Sequence, residues 1–339
     1  MKSSATAQAV AALARVSQSA VSRTFTPGAS VSEDTRARVL TAAKTLGYRP
    51  NALARSLITR RSRIIALVMG YLENQFYPLV IEKLSQTLQR QGYHVLLFIT
   101  DVEDNNDSVL AEILQYQVDG MVMASATLSP DLARQCADTG VPVVMFNRVP
   151  QTSAFAGNST SSVTSDNRRG GRLAAELLLA RGYRRIAFLA GHEMSSTNLE
   201  RERGFREALA DAGAAVFARV VGHYDFDRAR EATRTLFAAA ADERPDAVFV
   251  ANDHMAFAAL DVLRQELGLQ VPAQVGVIGF DDVPQAAWGA YRLTTVVQSV
   301  DEMVQATVGL LHEQMLDDSK PRDLVIACRV VERDTVRAA

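Results

Sequence analysis

Cysteine is scarce in this sequence, which has two in 339 residues, Cys136 and Cys328. Two cysteines this far apart match no metal-site spacing and build no disulfide framework, so a reducing compartment is the simpler interpretation. No apolar run approaches the roughly 20 residues that span a bilayer. The stretch Ala9–Ala14 is too short for the core of a signal peptide. These absences exclude membrane and disulfide-rich secreted proteins, and they predict a cytoplasmic protein with no membrane partner.

Motifs of enzymes are missing as well. The sequence has no GxGxxG or GxxxxGK(S/T) phosphate loop, and Gly170-Gly171 has the wrong spacing for one. It has no GxSxG nucleophile elbow. Its five histidines form no metal-ligand pattern. We therefore expect a protein without catalytic activity, cofactor or bound metal.

Charge is distributed unevenly along the chain, although the total is only -2. Residues 1–63 contain eleven Lys or Arg against two acids, a net of +9, and the remainder therefore carries -11. A basic segment on an acidic body is typical of a nucleic-acid-binding arm, and a solvated basic face is the alternative. Charge alone does not choose between them.

Three short helical patterns open the chain. Ser17 has the position of an N-cap for the second helix and Ser32 for the third, which Gly47 ends. Their inner faces are expected to consist of the apolar residues Val10, Leu13, Ala14, Val21, Val39, Leu40, Ala43 and Leu46.

The spacing of helix, tight turn and helix over Val10–Arg23 is that of a helix-turn-helix. Its second helix would present Gln18, Ser19 and Arg23 to base edges in the major groove, where Gln pairs with adenine and Arg with guanine. Ser17 and Ser22 are short donors suited to phosphates. A three-helix bundle with a solvated polar face is the alternative, and this pattern alone leaves both open.

From residue 63 onward, short apolar strands alternate with amphipathic helices. The first set of strands is Ile64–Met69, Val95–Ile99, Met121–Ala124 and Val141–Phe146, with helices near Pro78–Arg90, Asp107–Gln115 and Ser129–Thr139. The second set is Ile186–Leu189, Val220-Val221, Ala247–Val250 and Val275–Phe280, with helices near Asn167–Arg181, Leu199–Ala212, Asp227–Ala241 and Asp253–Glu266. This alternation predicts two parallel sheets covered on both faces and joined through Gln151–Thr164. Periodicity does not assign the helix Val300–Leu316 or the strand Leu324–Val331 to either.

Polar residues follow several of these strands. Ligands of open parallel sheets bind beyond the carboxyl ends of the strands, so these residues predict a binding cleft. A loop charge, a helix cap or a core aromatic is the alternative for each. The candidates are Asn147, Arg148, Arg201, Asn252 and Asp281, with Phe76, Tyr77 and Phe226 as stacking faces.

The N-terminal helical segment resembles that of a known family. Val10–Arg23, Val31–Leu40 and above all Gly47–Leu57 are similar to the headpiece of lac-repressor-type (LacI/GalR) bacterial regulators. The resemblance implies that Asn51–Leu57 is a hinge that folds as a helix in the minor groove of operator DNA. In that role Leu57 wedges between base steps, and small residues such as Ala54 permit the close approach.

Three positions of the headpiece depart from the family pattern. Ala9 replaces an acid, Ala20 replaces a threonine of the recognition helix, and Arg15 replaces a glycine of the turn. We expect Arg15, if it adopts a left-handed conformation, to weaken the headpiece and to strengthen nonspecific DNA binding through its charge.

The resemblance continues to nearly the end of the chain, through Gly182–Gly191, Glu200–Leu209, Asp246–Ala256 and Val277–Asp282. It implies two periplasmic-binding-protein-like lobes between which the chain crosses near Val163–Ser165, Val296–Gln298 and Ala327–Val330. Arg201, Asn252 and Asp281 match effector-contact positions of the family. Tyr291-Arg292 replaces a usual proline.

The predicted fold class is an all-α helix-turn-helix headpiece plus an α/β periplasmic-binding-protein-like domain with two parallel-sheet lobes. The headpiece spans residues 1–50, the hinge 51–62 and the two-lobed domain 63–339. Lobe 1 covers about 63–163 and 297–328, and lobe 2 about 164–296 and 329–339. The predicted function is a homodimeric repressor that binds double-stranded operator DNA and responds to a small-molecule effector, with a sugar favoured by the polar pocket. The alternatives are a corepressor-dependent regulator with a nucleobase ligand, and a solute receptor without a DNA role.

Overall fold

The computed structural model describes residues 5–26, 28–50, 61–100, 107–124, 138–149, 160–316 and 320–339. The chain divides into two compact units, Met1–Ser62 and Arg63–Ala339. The predicted hinge residues Asn51, Ala54 and Leu57 lie outside the described residues, as do most of the predicted helix Ser129–Thr139 and of the predicted connection Gln151–Thr164.

The described part of the first unit consists of three helices. The hydroxyls of Ser17 and Ser32 each accept the backbone N–H three residues further on, at 3.2 and 3.3 Å, so both predicted N-caps are confirmed. Gly47 ends the third helix in the left-handed conformation, at φ 64°. The helices are α1 (Ala7–Ala14), α2 (Gln18–Thr24) and α3 (Glu33–Leu46).

The core of this unit is smaller than the apolar pattern predicted. Val10, Val21 and Val39 are fully buried as expected, but the three leucines of the pattern are 38–52% exposed, so their assignment to the inner face was wrong. Alanines fill the space between the helices, since a short side chain allows close approach and leaves a leucine on the rim. The misassigned residues are Leu13, Leu40 and Leu46, and the alanines are Ala11, Ala14, Ala42 and Ala43.

The second unit contains two six-stranded sheets. The first sheet has the order β11-β5-β4-β3-β1-β2, and all its neighbouring strands are parallel. Its elements are β1 (Ile64–Met69), α4 (Phe76–Arg90), β2 (His94–Ile99), α5 (Asp107–Gln115), β3 (Gly120–Ala124), β4 (Val143–Phe146), β5 (Thr160–Ser165), α10 (Val300–Leu316) and β11 (Asp323–Ile326).

The second sheet has the order β12-β10-β9-β8-β6-β7, and its edge strand β12 runs antiparallel to β10. The other neighbouring strands of this sheet are parallel, as predicted, and the sequence analysis gave no direction for this edge strand. Its elements are α6 (Asn167–Ala180), β6 (Ile186–Ala190), α7 (Ser196–Asp211), β7 (Arg219–Val221), α8 (Phe226–Phe237), β8 (Ala247–Val250), α9 (Asp253–Asp261), β9 (Gly276–Asp281), β10 (Thr294–Val297) and β12 (Arg329–Val331).

The chain passes between the sheets three times, after β5, after β10 and between β11 and β12. Two of these crossings touch, because Ser165 Oγ donates a hydrogen bond to Gln298 Oε1 at 2.7 Å. Helix α10 follows the second sheet in sequence but packs on strands β3, β4 and β5 of the first. Each sheet therefore forms a lobe, and the cleft between them lies at the carboxyl ends of the strands.

The central strands β1, β3, β4, β6, β8 and β9 are almost entirely buried, as continuous apolar runs covered on both faces should be. Among the described residues, no helix is both long and apolar enough to cross a membrane.

Candidate functional site

A cavity lies between the two lobes, with about 310 Å³ of free space including its mouth. Each lobe contributes five of the side chains that line it, and all ten are polar or aromatic with a polar end. Lobe 1 supplies Tyr71, Asn74, Tyr77, Asn147 and Arg148, and lobe 2 supplies Thr197, Arg201, Tyr224, Asn252 and Asp281.

The structure brings six of the eight predicted cleft residues into this lining and leaves out the two phenylalanines. Phe76 is 1% exposed and packs on Phe146, with ring centroids 6.3 Å apart. Phe226 begins α8 and packs on the ring of His254 at 5.5 Å. A ring without a polar end gains more from packing than from a polar cavity, which accounts for both positions.

Four lining residues were missed by the sequence analysis. Tyr71 and Tyr224 follow β1 and β7 within a few residues, so the strand-end rule that found Asn252 also applies to them. Asn74 precedes α4, where its Oδ1 accepts the N–H of Phe76 at 3.1 Å. Thr197 lies in the first turn of α7 and has no sequence signal, because its position depends on how α7 meets the opposite lobe.

Arg201 is fixed in place from several sides. Its side chain is buried. Helix α7 begins at Ser196, not near residue 199 as predicted, so Arg201 lies about one and a half turns after the helix start. Nε donates to Asn167 Oδ1 at 2.9 Å, and the guanidinium carbon lies 3.6 Å from the ring centroid of Phe280. Its Nη1 lies 3.8 Å from Asp281 Oδ1. The guanidinium is thus oriented before any ligand arrives.

Two buried carboxyl groups lie near this arginine. Burial raises the pKa of Asp281, and the Arg201 charge and hydrogen bonds from Gln298 and Asn74 act against that shift. Burial, and secondly the charge of Asp281, raises the pKa of Asp253 to about 8. Asp253 does not line the cavity; it accepts hydrogen bonds from Thr295 Oγ1 at 2.6 Å and from the N–H of Val283 at 3.0 Å. It therefore supports the site from behind.

Two buried amides in the lining have an atom without a hydrogen-bond partner among the described residues. They are Oδ1 of Asn147, which is 4% exposed, and Nδ2 of Asn252, which is 1% exposed. The Oδ1 of Asn252 is occupied, since it accepts the N–H of Met255 at 3.0 Å and caps α9. A buried, unpaired polar atom is unfavourable. Oδ1 of Asn147 can therefore accept a hydrogen bond from a ligand, and Nδ2 of Asn252 can donate one.

Arg148 connects the lobes across the cavity. It follows β4 of lobe 1, and its Nη1 donates to the hydroxyls of Ser195 and Thr197 in lobe 2, the latter at 3.3 Å. Thr197 in turn contacts the hydroxyl of Tyr224 at 3.3 Å. This chain of hydrogen bonds holds the two walls together.

Four lining residues adopt the left-handed backbone region although none is glycine. The φ angles are 58° at Tyr71, 56° at Asn147, 62° at Tyr224 and 130° at Asp281. Such strain concentrates at ligand sites, where the surrounding fold holds a side chain in a disfavoured conformation. The arrangement can bind and orient a polar small molecule. Within the described ranges, no group of three or more His, Cys, Asp or Glu is placed to hold a metal.

In the first unit, every candidate base- or phosphate-contacting residue of α2 is exposed. Ser17 uses its hydroxyl to cap α2 and contacts the Ser19 hydroxyl at 2.8 Å. The buried face of α2 consists of Ala20, Val21 and Thr24, so the candidates share the opposite face. These exposed residues are Ser17, Gln18, Ser19, Ser22 and Arg23.

A helix-turn-helix unit joined to a two-lobed unit with a polar inter-lobe cavity defines a ligand-responsive DNA-binding protein. Residues 6–51 match the model for bacterial regulatory proteins of the lacI family, and residues 175–336 match that for a periplasmic binding protein-like domain. The HTH-type transcriptional regulator CelR of Thermobifida fusca is 34% identical over 97% of this chain and 98% of its own. The HTH-type transcriptional repressor PurR of Vibrio cholerae is 32% identical over 98% of both. The chain belongs to the lacI family.

Solved structures agree with this assignment. The lac repressor dimer bound to operator and the anti-inducer ONPF has a TM-score of 0.86 at 26% identity, covering 99% of this chain and all of that one. A complex of CelR with cellobiose has a TM-score of 0.72 at 31% identity over 98% of this chain and 99% of that one. The predicted fold class and the predicted function of a DNA-binding transcriptional regulator are confirmed. Because the relatives are regulators, the expectation that the chain is not an enzyme is confirmed as well.

Proposed function

We propose that the chain is a repressor whose operator affinity changes when a small molecule binds the inter-lobe cavity. The observation that carries this proposal is the pair of unpaired buried amides of Asn147 and Asn252, one from each lobe. A ligand that satisfies both favours the closed arrangement of the lobes. If the two arrangements differ in DNA affinity, the ligand changes operator binding by the coupling free energy.

On the DNA side, we assign base contacts to Gln18, Ser19 and Arg23 and phosphate contacts to Ser17 and Ser22. Their common exposure on α2 supports this assignment. We retain residues 1–50 as the headpiece and 51–62 as a hinge, for which Asn51, Ala54 and Leu57 are the proposed minor-groove residues. The division of the chain after Ser62 supports the limit between the hinge and the two-lobed domain.

The active form is proposed to be a homodimer acting in the cytoplasm, where the chromosome is. Two half-sites of an operator require two headpieces, and the similar lac repressor is a dimer on its operator.

For the effector, we assign contacts to Tyr77, Asn147, Arg148, Arg201, Asn252 and Asp281, to which the cavity adds Tyr71, Asn74, Thr197 and Tyr224. Polar lining groups favour a hydroxylated ligand, and the similar CelR is known in complex with cellobiose. The second candidate is a nucleobase acting as corepressor, which the three tyrosine rings of the lining would suit by stacking.

The test uses the full-length protein and duplex DNA. Strong binders are selected from a random pool, and the dissociation constant is measured by fluorescence anisotropy at fixed salt, since salt alone changes it steeply. Arg23→Ala should reduce discrimination between selected and random DNA by about 1–3 kcal/mol. The matched control is Arg169→Ala, which removes an arginine of α6 that is 47% exposed.

A ligand found by thermal-shift screening of sugars, sugar acids and nucleobases should then change the operator dissociation constant. Linkage requires operator DNA to change the ligand dissociation constant by the same factor. Asn252→Ala should abolish the ligand effect and leave operator binding intact. Equal affinity of the protein for selected and random DNA would contradict the proposal.

A further inference from the structure

We infer that the ligand of this cavity is an anionic, hydroxylated small molecule, such as a sugar acid or a sugar phosphate, whose negative group binds Arg148. The inference rests on the proposed function, because it names the chemical class that the effector site takes.

The cavity lining contains three ionisable groups other than tyrosine: Arg148, Arg201 and Asp281. Asp281 lies 3.8 Å from Arg201, and both side chains are 3% exposed, so these two charges form a buried pair. A buried pair of this kind is stable only when its members stay together. The carboxylate in the lining is therefore already committed to Arg201.

Arg148, unlike Arg201, has only neutral partners. The residue is half-buried, and its guanidinium donates to the Ser195 and Thr197 hydroxyls. In the part of the chain that the structure describes, no carboxylate forms an ion pair with it. By contrast, Arg168, Arg219 and Arg234 each have an acidic partner. A partly desolvated cation without a counter-charge is a binding site for an anion.

The buried carboxyl of Asp253 does not act as the missing counter-charge of Arg148. It lies behind the lining, and both of its oxygens are engaged within lobe 2 by Thr295 and Val283. Burial raises its pKa, so its neutral form is favoured over a wider pH range than that of an ordinary carboxyl group.

The neighbouring groups determine the rest of the ligand. The unpaired donor Nδ2 of Asn252 and the hydroxyls of Tyr71, Tyr77 and Tyr224 suit oxygen acceptors. The unpaired acceptor Oδ1 of Asn147 requires a donor, which a carboxylate or a dianionic phosphate lacks. A molecule with both an anionic group and hydroxyl groups meets both requirements.

The experiment compares matched ligands by isothermal titration calorimetry on the full-length protein at constant ionic strength. D-gluconate and D-glucose 6-phosphate are each compared with D-glucose, and D-galacturonate with D-galactose. We expect at least one anionic member to bind ten times or more tightly than its neutral partner. The carboxylate and phosphate arms decide between a sugar acid and a sugar phosphate.

Variants then locate the effect. Arg148→Gln retains donors but loses the charge, so it should lower the ratio of anionic to neutral affinity about tenfold, whatever it does to the affinity for the neutral partner. Arg148→Lys should restore part of the difference. Arg203→Gln is the control. Arg203 lies on the same helix as Arg201, but its own side chain is 58% exposed.

Two results would overturn the inference. One is that neutral sugars or nucleobases bind as tightly as every anionic probe, and that Asn252→Ala abolishes this binding. The other is that no anionic probe shows a preference that depends on Arg148. Either result leaves the proposed function standing if some ligand still changes operator affinity, whereas a protein that does not discriminate operator DNA would refute that function itself.

Discussion

At the residue scale, Arg15 is a residue type that is poorly suited to its backbone conformation. It ends α1 at φ 53° and ψ 50°, in the left-handed region where the family pattern has glycine. Its N–H caps the helix through the carbonyl oxygens of Ala11 and Ala12. The left-handed conformation considered from the sequence is therefore confirmed, and a side chain other than glycine is strained there by about 1–2 kcal/mol.

Replacing Arg15 should separate this strain from the effect of its charge. Arg15→Gly relieves the strain and should stabilise the headpiece by about 1 kcal/mol. Arg15→Gln keeps the strain and removes the charge, so the headpiece stability should stay unchanged. Both variants should bind random duplex DNA more weakly, with a smaller dependence on salt. Hydrogen exchange of α1–α3 in the full chain measures stability, and anisotropy at several salt concentrations measures binding. Equal protection in the two variants would refute the conformational argument.

The same scale shows how far the cleft could be predicted. Asn147, Asn252 and Asp281 were found because parallel strands end at one edge, wherever the lobes lie. Phe76 follows the same rule but lies in the core, since only packing decides whether an aromatic ring faces a cavity. Thr197 was missed because its place in the lining depends on contact between lobes.

At the element scale, helices α6 and α7 approach so closely that their backbones are nearly in contact. A Cβ at Gly171 would lie 2.0 Å from the carbonyl oxygen of Arg201, and one at Gly204 would lie 1.9 Å from that of Arg168. The Gly170-Gly171 pair, which fits no phosphate loop, thus has a packing role. This close approach also positions Arg201, because Arg201 lies on the face of α7 that meets α6.

Gly204→Ala should therefore destabilise the second unit by about 2–3 kcal/mol, since a backbone carbonyl cannot move aside as a flexible side chain does. The matched control is Gly309→Ala in α10, where a Cβ meets nothing within 4 Å. That change should stabilise the helix by about 0.5–1 kcal/mol. Urea unfolding followed by far-UV circular dichroism measures both. Similar effects of the two substitutions would rule out close packing as the reason for Gly204.

At the scale of the whole molecule, the lobes are joined through a buried polar chain. Arg201 faces Asp281, Gln298 Nε2 donates to Asp281 Oδ1 at 2.7 Å, and Ser165 donates to Gln298. Gln298 and Ser165 lie where the chain passes between the sheets. A ligand that contacts Arg201 or Asp281 is therefore linked through hydrogen bonds to the segments that cross between the lobes.

The stability of the folded chain should depend on pH through Asp253. Its pKa is raised by burial to about 8, so the folded state holds a proton that the unfolded state releases near pH 4. This contribution is fully present below about pH 4 and is lost as pH rises towards 8, with a slope of at most about 1.4 kcal/mol per pH unit. Asp253→Asn cannot titrate and should make the slope smaller, leaving the part that comes from the raised pKa of Asp281.

Urea unfolding between pH 5 and pH 8 measures this slope. The control is Asp227→Asn, which removes a carboxyl group that is 89% exposed and should leave the slope as it is in the wild type. A slope in Asp253→Asn as steep as that of the wild type would show that Asp253 does not cause it.

The sequence by itself determined the three N-terminal helices and their caps, the alternation of strands and helices and the residues at strand ends, because these depend on local periodicity and short-range hydrogen bonds. Tertiary structure alone decided that Leu13, Leu40 and Leu46 lie outside the core and that β12 runs antiparallel, whereas the family resemblance already places α10 in lobe 1. Tertiary structure also decided which polar groups of the cleft are paired. The sequence places Arg148, Asn147 and Asn252 after strands, but only the folded chain shows which of their polar atoms have partners, because those partners are distant along the chain.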